Sequence, residues 1–231
     1  MESDRLRRKL AFAFPVLSAA GRRFLDHPRA AELYPEYLFT MHCIVRASVP
    51  LMEAAVQQAA AVSDRDLVAD RVAEYLEQHI PEERDHDEWL LEDLETLGVD
   101  RSAVLARPPS ASVAAVVGAQ YYWVIHYHPV ALLGYIALLE GYPPRRDEIE
   151  ALMARTGLDP GAFRTLLAHA ELDPHHRDDL NRTLDGLPLQ PEHRSALGVS
   201  AMHSVYLLAR CIDEVIERDA AQPVVPATPV R

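Results

Sequence analysis

The sequence predicts an all-α fold, and three observations carry that expectation. Apolar residues recur at helical spacing through most of the 231 residues. Clusters of Pro, Gly, Ser and Asp fall between segments of helical length, and no alternating run reads as a strand. With 49% hydrophobic residues the chain can fill one core. Nothing in it marks two units, so residues 1–219 are expected as one helical domain of about seven helices. Residues 220–231, with Pro223, Pro226 and Pro229, are expected as a disordered tail.

Residues 3–25 read as a lid or outer helix carrying Leu6, Leu10, Phe12 and Phe14, bent at Pro15. A long helix follows from about Glu36 to Ala61, with Leu38, His42, Val45, Val49 and Met52 on one stripe. Arg46 lies one turn from His42 among apolar neighbours, so it needs an anion if it is buried. Ser63 to Asp66 supply caps for a helix over about 65–97, in which Pro81 is expected to kink the chain just before Glu83. Pro108-Pro109-Ser110 belongs to a turn-rich connection. The next helix, about Val113 to Glu140, is apolar nearly all round and is therefore expected to be central. Its stripe back from Glu140 passes Ile136, Leu133, Pro129, His126 and Tyr122. A short charged helix spans 145–156, and Asp159-Pro160-Gly161 starts the helix that holds His169 to His176, with Pro174 making it irregular there. The last helix runs from about Pro191 to Arg218, and Leu197, Met202, Tyr206, Leu207 and Ile212 form its expected buried stripe.

A formal charge of −12 and a pI near 5.3 argue against nucleic acid or an anionic membrane as partner, because the field repels phosphates. Cys43 and Cys211 give neither a disulfide framework nor a paired-thiol motif, which fits a reducing compartment. Met1 to Arg29 lacks a signal-type apolar run, so a cytoplasmic location is expected. Lys9 is the single lysine, which leaves Schiff-base chemistry almost without a candidate.

Two stretches carry chemistry. In His169-Ala-Glu-Leu-Asp-Pro-His-His176, the side chains of His169, Asp173 and His176 fall within roughly 60° of arc on a helix and share one face. A solvated polar helix face would account for this stretch alone. However, His79, Glu83 and His86 repeat the spacing about 90 residues earlier, so two helices can each present a carboxylate flanked by imidazoles. Di-iron carboxylate bundles are built from such Glu-x-x-His pairs and further inward carboxylates. Glu140, after a long apolar run, is costly to bury unless it is paired or metal-bound, although it could also be the last exposed residue of its helix.

Together, Glu83-x2-His86, a lone Glu140 and His169-x3-Asp173-x2-His176 resemble the ligand set of the haem-oxygenase-like di-metal oxidases and oxygenases, over roughly residues 30–217. In ligand spacing they are most similar to the enzyme that decarboxylates medium-chain fatty acids to terminal alkenes. Other members have a longer gap between the first Glu and His, which leaves either Glu82 or Glu83 as the ligand. The resemblance implies a haem-oxygenase-like (TenA-like) bundle. It also implies Glu83, His86, Glu140, His169, Asp173 and His176 as metal ligands at the catalytic centre, with iron bound weakly and dioxygen used to oxidise small amino acids or fatty acids.

The residues agree with that implication. Three imidazoles and three carboxylates suit two Fe(II) ions, or Mn(II), and no thiolate favours another metal. Arg46, Tyr122 and His126 are the candidates for the substrate side, with Arg46 able to clamp a carboxylate. His79 and Glu82 are read as outer residues that orient a ligand. The expected partners are a small carboxylate-bearing substrate and dioxygen, with an external electron donor and a homodimer both compatible with the sequence. Two other functions fit the same scaffold: a metal-independent thiaminase-like or cofactor-biosynthesis enzyme, and a non-catalytic helical binding protein. The thiaminase-like chemistry needs a cysteine nucleophile, and both cysteines lie far in sequence from the polar cluster.

Overall fold

The computed structural model describes residues 1–143 and 145–218. All regular structure among them is helical. The elements are α1 (Glu2–Leu25), α2 (Ala30–Val45), α3 (Ser48–Ala60), α4 (Leu67–Glu83), α5 (His86–Thr96), α6 (Arg101–Ala106), α7 (Ala111–His126), α8 (Leu132–Leu139), α9 (Arg146–Thr156), α10 (Arg164–Gly186) and α11 (Pro191–Arg218), with short 3₁₀ turns at Ser63–Arg65, Pro129–Ala131 and Pro160–Phe163. Capping chemistry follows the sequence. Asp66 accepts from the Val68 and Ala69 amides at the start of α4, and Ser110 accepts from Val113 at the start of α7. The expected tail, residues 220–231, lies outside the described residues.

Three of the long helices anticipated from sequence are each divided. The segment expected over 36–61 begins earlier, runs through Pro35, and breaks at Arg46–Ala47. The segment expected over 65–97 stays helical up to Glu83. It continues past Pro81 and breaks after Glu83, where Arg84 is extended and Asp85 takes a left-handed φ of 67°. The segment expected over 113–140 breaks at Tyr127–His128, where His128 Nδ1 accepts from the Val130 amide and starts the Pro129–Ala131 turn. By contrast, α10 passes through Pro174 as one helix.

The core is built around α11, which packs along α1, α7 and α8. By length and composition α11 could cross a membrane, but half of its most apolar window is buried inside the fold. Its buried face combines the small residues Gly198, Ser200, Ala201 and Ser204 with Leu197, Val205, Leu208 and Val215, whereas Tyr206 is 49% exposed. Of the expected stripe, Leu197 is buried and Met202, Leu207 and Ile212 pack half-buried against the core, while Tyr206 turns to solvent. Close helix approach selects small side chains where α8 crosses. Gly134 of α8 shows how close the approach is, since a Cβ there would collide with the Leu197 carbonyl. Gln120 of α7 is tied to Ser200 and Ser204 at 2.9 and 3.2 Å, so the polar groups in this dry seam are paired.

Candidate metal centre

α4, α5, α8 and α10 converge their polar side chains at one place. Donor atoms of His79, Glu83, Glu140 and His176 lie within 4.8 Å of one another, and so do those of Glu83, His86 and His169. Separations of that size suit atoms about 2 Å from a common ion. Glu83 belongs to both groups, so one carboxylate faces two adjoining half-sites. His86 and Asp173 are 2% and 3% exposed, His176 4% and Glu140 8%, so the cluster is an interior feature.

Each donor is aimed by its local structure. Glu83 is the last residue of α4 and His86 the first of α5. The left-handed Asp85 between them folds both donors toward one point although they sit on different helices. Glu140 caps the C-terminus of α8, and the next residue must be Gly because a Cβ on Gly141 would meet the Ala137 carbonyl. His169 donates from Nδ1 to the Thr165 carbonyl at 2.9 Å, which leaves the Nε2 lone pair for the site. Thr165 is held in turn by Asp93 of α5, whose Oδ2 accepts from the Thr165 amide at 3.0 Å. The bond chain Asp93–Thr165–His169 therefore fixes α10 against α5.

Charge is poorly compensated among these residues alone. Glu140 Oε2, Asp173 Oδ1, His86 Nδ1 and His176 Nδ1 are buried without a hydrogen-bond partner. Two of those nitrogens are nevertheless close to Glu83: His86 Nδ1 lies 3.2 Å and His176 Nδ1 3.4 Å from its carboxylate. Such contacts, close but misaligned for hydrogen bonding, arise when lone pairs point at a shared centre rather than at each other. Burial raises Asp173 to about 8, with Glu140 and Glu83 adding repulsion and His79 opposing. Burial likewise raises Glu140 despite His79. For Glu83 burial is outweighed by His86, His79 and His169, and the group is held below the usual range. A cation at each half-site would satisfy all of these atoms, so the donor set fits two divalent metal ions.

The outcome for the sequence-stated residues is mixed. Glu83, His86, Glu140, His169 and His176 are brought into the two donor groups, and Asp173 faces the charges of Glu83 and Glu140 although its oxygens fall outside both groups. His79, read as an outer residue, instead stands in the donor group itself, with Nε2 2.8 Å from Glu140. Burial would lower it, but Glu140 raises it to about 9, so it supplies the positive charge on that side. Glu82 is the outer partner, 3.3 Å from His79 Nδ1, and its side chain is 46% exposed. Between Glu82 and Glu83, it is Glu83 that faces both half-sites.

Tyr122 and His126 are not brought to the site. Tyr122 is 63% exposed, and His126 is exposed on the same outer face of α7. The extrapolation back from Glu140 assumed one unbroken helix. The break at Tyr127–His128 resets the phase and turns both residues to solvent. Arg46 is half-buried and, among the described residues, forms no ion pair. It influences His42, as do Asp87 and Glu88 next to His86, and both ring nitrogens of buried His42 lack a partner. Arg46 is thus on the α2 side that faces the start of α5.

Two aromatic residues, Tyr75 and Trp89, also wall the site. Tyr75, one turn before His79 on α4, stacks on it at 5.4 Å, and its buried hydroxyl has no partner. Trp89, a turn after His86, covers that ring at 4.1 Å and meets His169 edge-on at 6.2 Å. Their i±3 and i±4 spacing to metal-competent histidines was the available signal. Next to Gly141, a narrow cleft between α1, α8 and α10 is lined by Leu6, Leu10, Ala137, Leu180 and Leu184, with Arg177 at its edge.

A third donor group, Asp66, His128 and His193, has a different character. His128 Nδ1 accepts from the Val130 amide and His193 Nδ1 from the Gln190 amide, so in each neutral ring the proton sits on Nε2. That Nε2–H of His128 donates to Asp66 at 3.0 Å, which serves capping rather than ligation.

Comparison with known proteins agrees with this geometry. The chain is similar in structure to a domain of unknown function with a heme oxygenase-like fold from Shewanella denitrificans OS217. The TM-score is 0.79 at 20% identity, covering 94% of this chain and 93% of that one. It is also similar to a TenA homolog from Pseudomonas syringae pv. tomato DC3000, with a TM-score of 0.70 at 13% identity, covering 93% of this chain and 92% of that one. At those identities the likeness establishes the fold, which is haem-oxygenase-like. No curated protein sequence matches. Residues 36–208, which contain every donor of both half-sites, match the family described as iron-containing redox enzymes, and the chain belongs to that family.

Proposed function

We propose that this protein is a non-haem di-iron, dioxygen-dependent oxidase or oxygenase acting on a small carboxylate-bearing substrate, an amino acid or a fatty acid. The observation that carries the reading is Glu83. A single half-buried carboxylate shared by a His86–His169 group and a His79–Glu140–His176 group is the arrangement that holds two ions side by side. Two ferrous ions held there would supply the pair of electrons that dioxygen needs for desaturation, hydroxylation, oxidative C–C cleavage or N-oxygenation.

The chain's own residues would do the rest. His169, fixed through Thr165, and Glu83, held ionised by its imidazole neighbours, offer lone pairs without rearrangement. Asp173 keeps a proton in the metal-free protein and would release it when a cation arrives. Trp89 and Tyr75 exclude water from the donors. Arg46, without an ion-pair partner among the described residues, is the candidate for the substrate carboxylate. The aliphatic cleft next to Gly141, lined by Leu6, Leu10, Ala137, Leu180 and Leu184, suits an apolar body.

A metal-independent thiaminase-like reading is less well supported. It needs a reactive thiol, and Cys43 and Cys211 are both buried, the latter raised to about 12 by burial first. The test is anaerobic loading with Fe(II), counting ions per chain, followed by dioxygen uptake with panels of amino acids and fatty acids. Two ions per chain and substrate-stimulated uptake that Glu83→Gln abolishes are expected. Binding of one ion or none, or uptake indifferent to Glu83→Gln, would overturn the reading.

A further inference from the structure

The buried atoms that two cations would satisfy are lone pairs, and one unpartnered group beside them is of the opposite kind. Tyr75 is 8% exposed, and its buried hydroxyl makes no hydrogen bond among the described residues. A metal ion takes lone pairs but offers nothing to an O–H, so loading the centre leaves this donor unsatisfied, which is costly in the interior. Three observations place it at the His79–Glu140 half-site. Tyr75, His79 and Glu83 follow one another at intervals of four on α4 and share one side of that helix. The rings of Tyr75 and His79 are stacked, 19° from parallel with centroids 5.4 Å apart, and His79 Nε2 lies 2.8 Å from Glu140. Burial raises the hydroxyl most, and Glu140, Glu83 and Glu82 raise it further, in that order. Yet Tyr75 does not bond to Glu140, although Glu140 Oε2 is itself buried without a partner among the described residues.

We infer that the Tyr75 hydroxyl donates a hydrogen bond to a small anion seated at the His79–Glu140 half-site, and so belongs to the binding residues of the centre. The inference rests on the two-ion reading above. Chemistry fixes the class of the partner. It accepts, because a tyrosine below about pH 10 carries its proton and is there to donate. It is another molecule, because the carboxylate beside the hydroxyl, Glu140, is held through Oε1 by His79 and keeps Oε2 for a cation. It is anionic, because a bound cation becomes the largest local charge and draws negative charge in, whereas the metal-free carboxylates of Glu82, Glu83 and Glu140 repel it. The metal therefore binds first. Size is limited too: the donor atoms of this group lie within 4.8 Å of one another, so the partner places only a few atoms among them. An inorganic anion and the carboxylate end of an organic acid share that chemistry, and azide and acetate stand for them as probes.

The full chain loaded with Mn(II) and titrated with each probe tests the proposal, binding being read from the electron paramagnetic resonance of the metal and from the infrared stretch of bound azide. Loaded wild type should take up at least one probe, and chelator-treated wild type neither. Tyr75→Phe keeps the ring on His79 and removes only the O–H. Its ion count should match wild type and its melting temperature should not fall, while the probe binds roughly 10-fold more weakly. Weakening of azide alone supports an inorganic anion as the partner, weakening of acetate alone a carboxylate, and in the first case the azide stretch should shift as well. Unchanged affinity for both probes in Tyr75→Phe, a loaded wild type that takes up neither, or a Tyr75→Phe chain that loses ions would overturn the inference while leaving the two-ion reading in place. A wild-type chain that binds no metal would overturn both.

Discussion

Replacing Asp173 by Asn isolates the electrostatic cost of the metal-free centre. The carboxyl is raised to about 8 by burial first, then by Glu140 and Glu83, and it is only 3% exposed. Against about 3.9 for an unfolded Asp, and at about 1.4 kcal/mol per pH unit, the full linkage is on the order of 5 kcal/mol. Part of this is returned by relaxation around the charged form, so a loss on the order of 2–3 kcal/mol is expected in practice. The folded value lies above the unfolded one, so this stability is complete below about pH 4 and is lost as pH rises toward about 8. His79, raised to about 9 by Glu140 against the effect of burial, acts with the same sign between about 6.5 and 9. His169 and His176 are lowered by burial and act in the opposite sense, but only below their ordinary value of about 6.5. Between about pH 6.5 and 9 the fall therefore comes from Asp173 and His79 together, with about 2 kcal/mol of the Asp173 linkage lying there before relaxation, and comparison with Asp173→Asn separates that share. Asn mimics the protonated acid in shape and carries no proton to lose. Urea unfolding of chelator-treated protein at both ends of that interval should show a falling midpoint for wild type and a smaller fall for Asp173→Asn. Equal falls in the two proteins would refute the view that Asp173 is protonated in the metal-free centre.

Other expectations follow from the same geometry. Glu83→Gln removes the carboxylate common to both donor groups, so titration with Mn(II) followed by electron paramagnetic resonance should show at most one ion per chain. Two coupled ions would contradict the shared role. Arg46→Ala should raise the substrate concentration for half-maximal rate roughly 10- to 150-fold, the equivalent of about 1.5–3 kcal/mol, with normal metal content. Lower thermal stability with unchanged affinity would instead make Arg46 structural. Gly134→Ala forces a Cβ into the Leu197 carbonyl across the α8–α11 seam and should cost about 1–3 kcal/mol or more in unfolding experiments, whereas an unchanged midpoint would mean that the seam yields easily.

Much of this molecule is legible in its sequence because helical periodicity reports which face is buried. The i, i+4 and i, i+7 relations of His169, Asp173 and His176 survive in α10 because the helix runs unbroken through them. What sequence missed are places where phase is lost. The left-handed turn at Asp85 and the break at Tyr127–His128 are each set by one or two residues; Glu83 and His86 still converge across the first, but the stripe extrapolated back from Glu140 across the second fails, as Tyr122 and His126 show. Helix packing supplied the other misreading. On α11 the expected stripe overlooks the small residues Ser200 and Ala201, which the close crossing with α8 requires, and includes Tyr206, which turns to solvent. His79 was discounted although it shares a face with Glu83, because spacing alone does not tell a donor from the residue that steadies one.

The break between α4 and α5 also bears on how relatives can be found. In an unbroken helix one inserted residue turns everything downstream by about 100°, which would swing His86 off the face of Glu83. Where one helix stops and another starts, an insertion lengthens a loop and leaves both registers alone. The interval between these two donors is therefore not set by helix pitch. The intervals within α4 and α10 are locked by the pitch of the helix. A search pattern for such proteins should hold His-x3-Glu and His-x3-Asp-x2-His rigid and let the stretch from Glu83 to His86 vary in length.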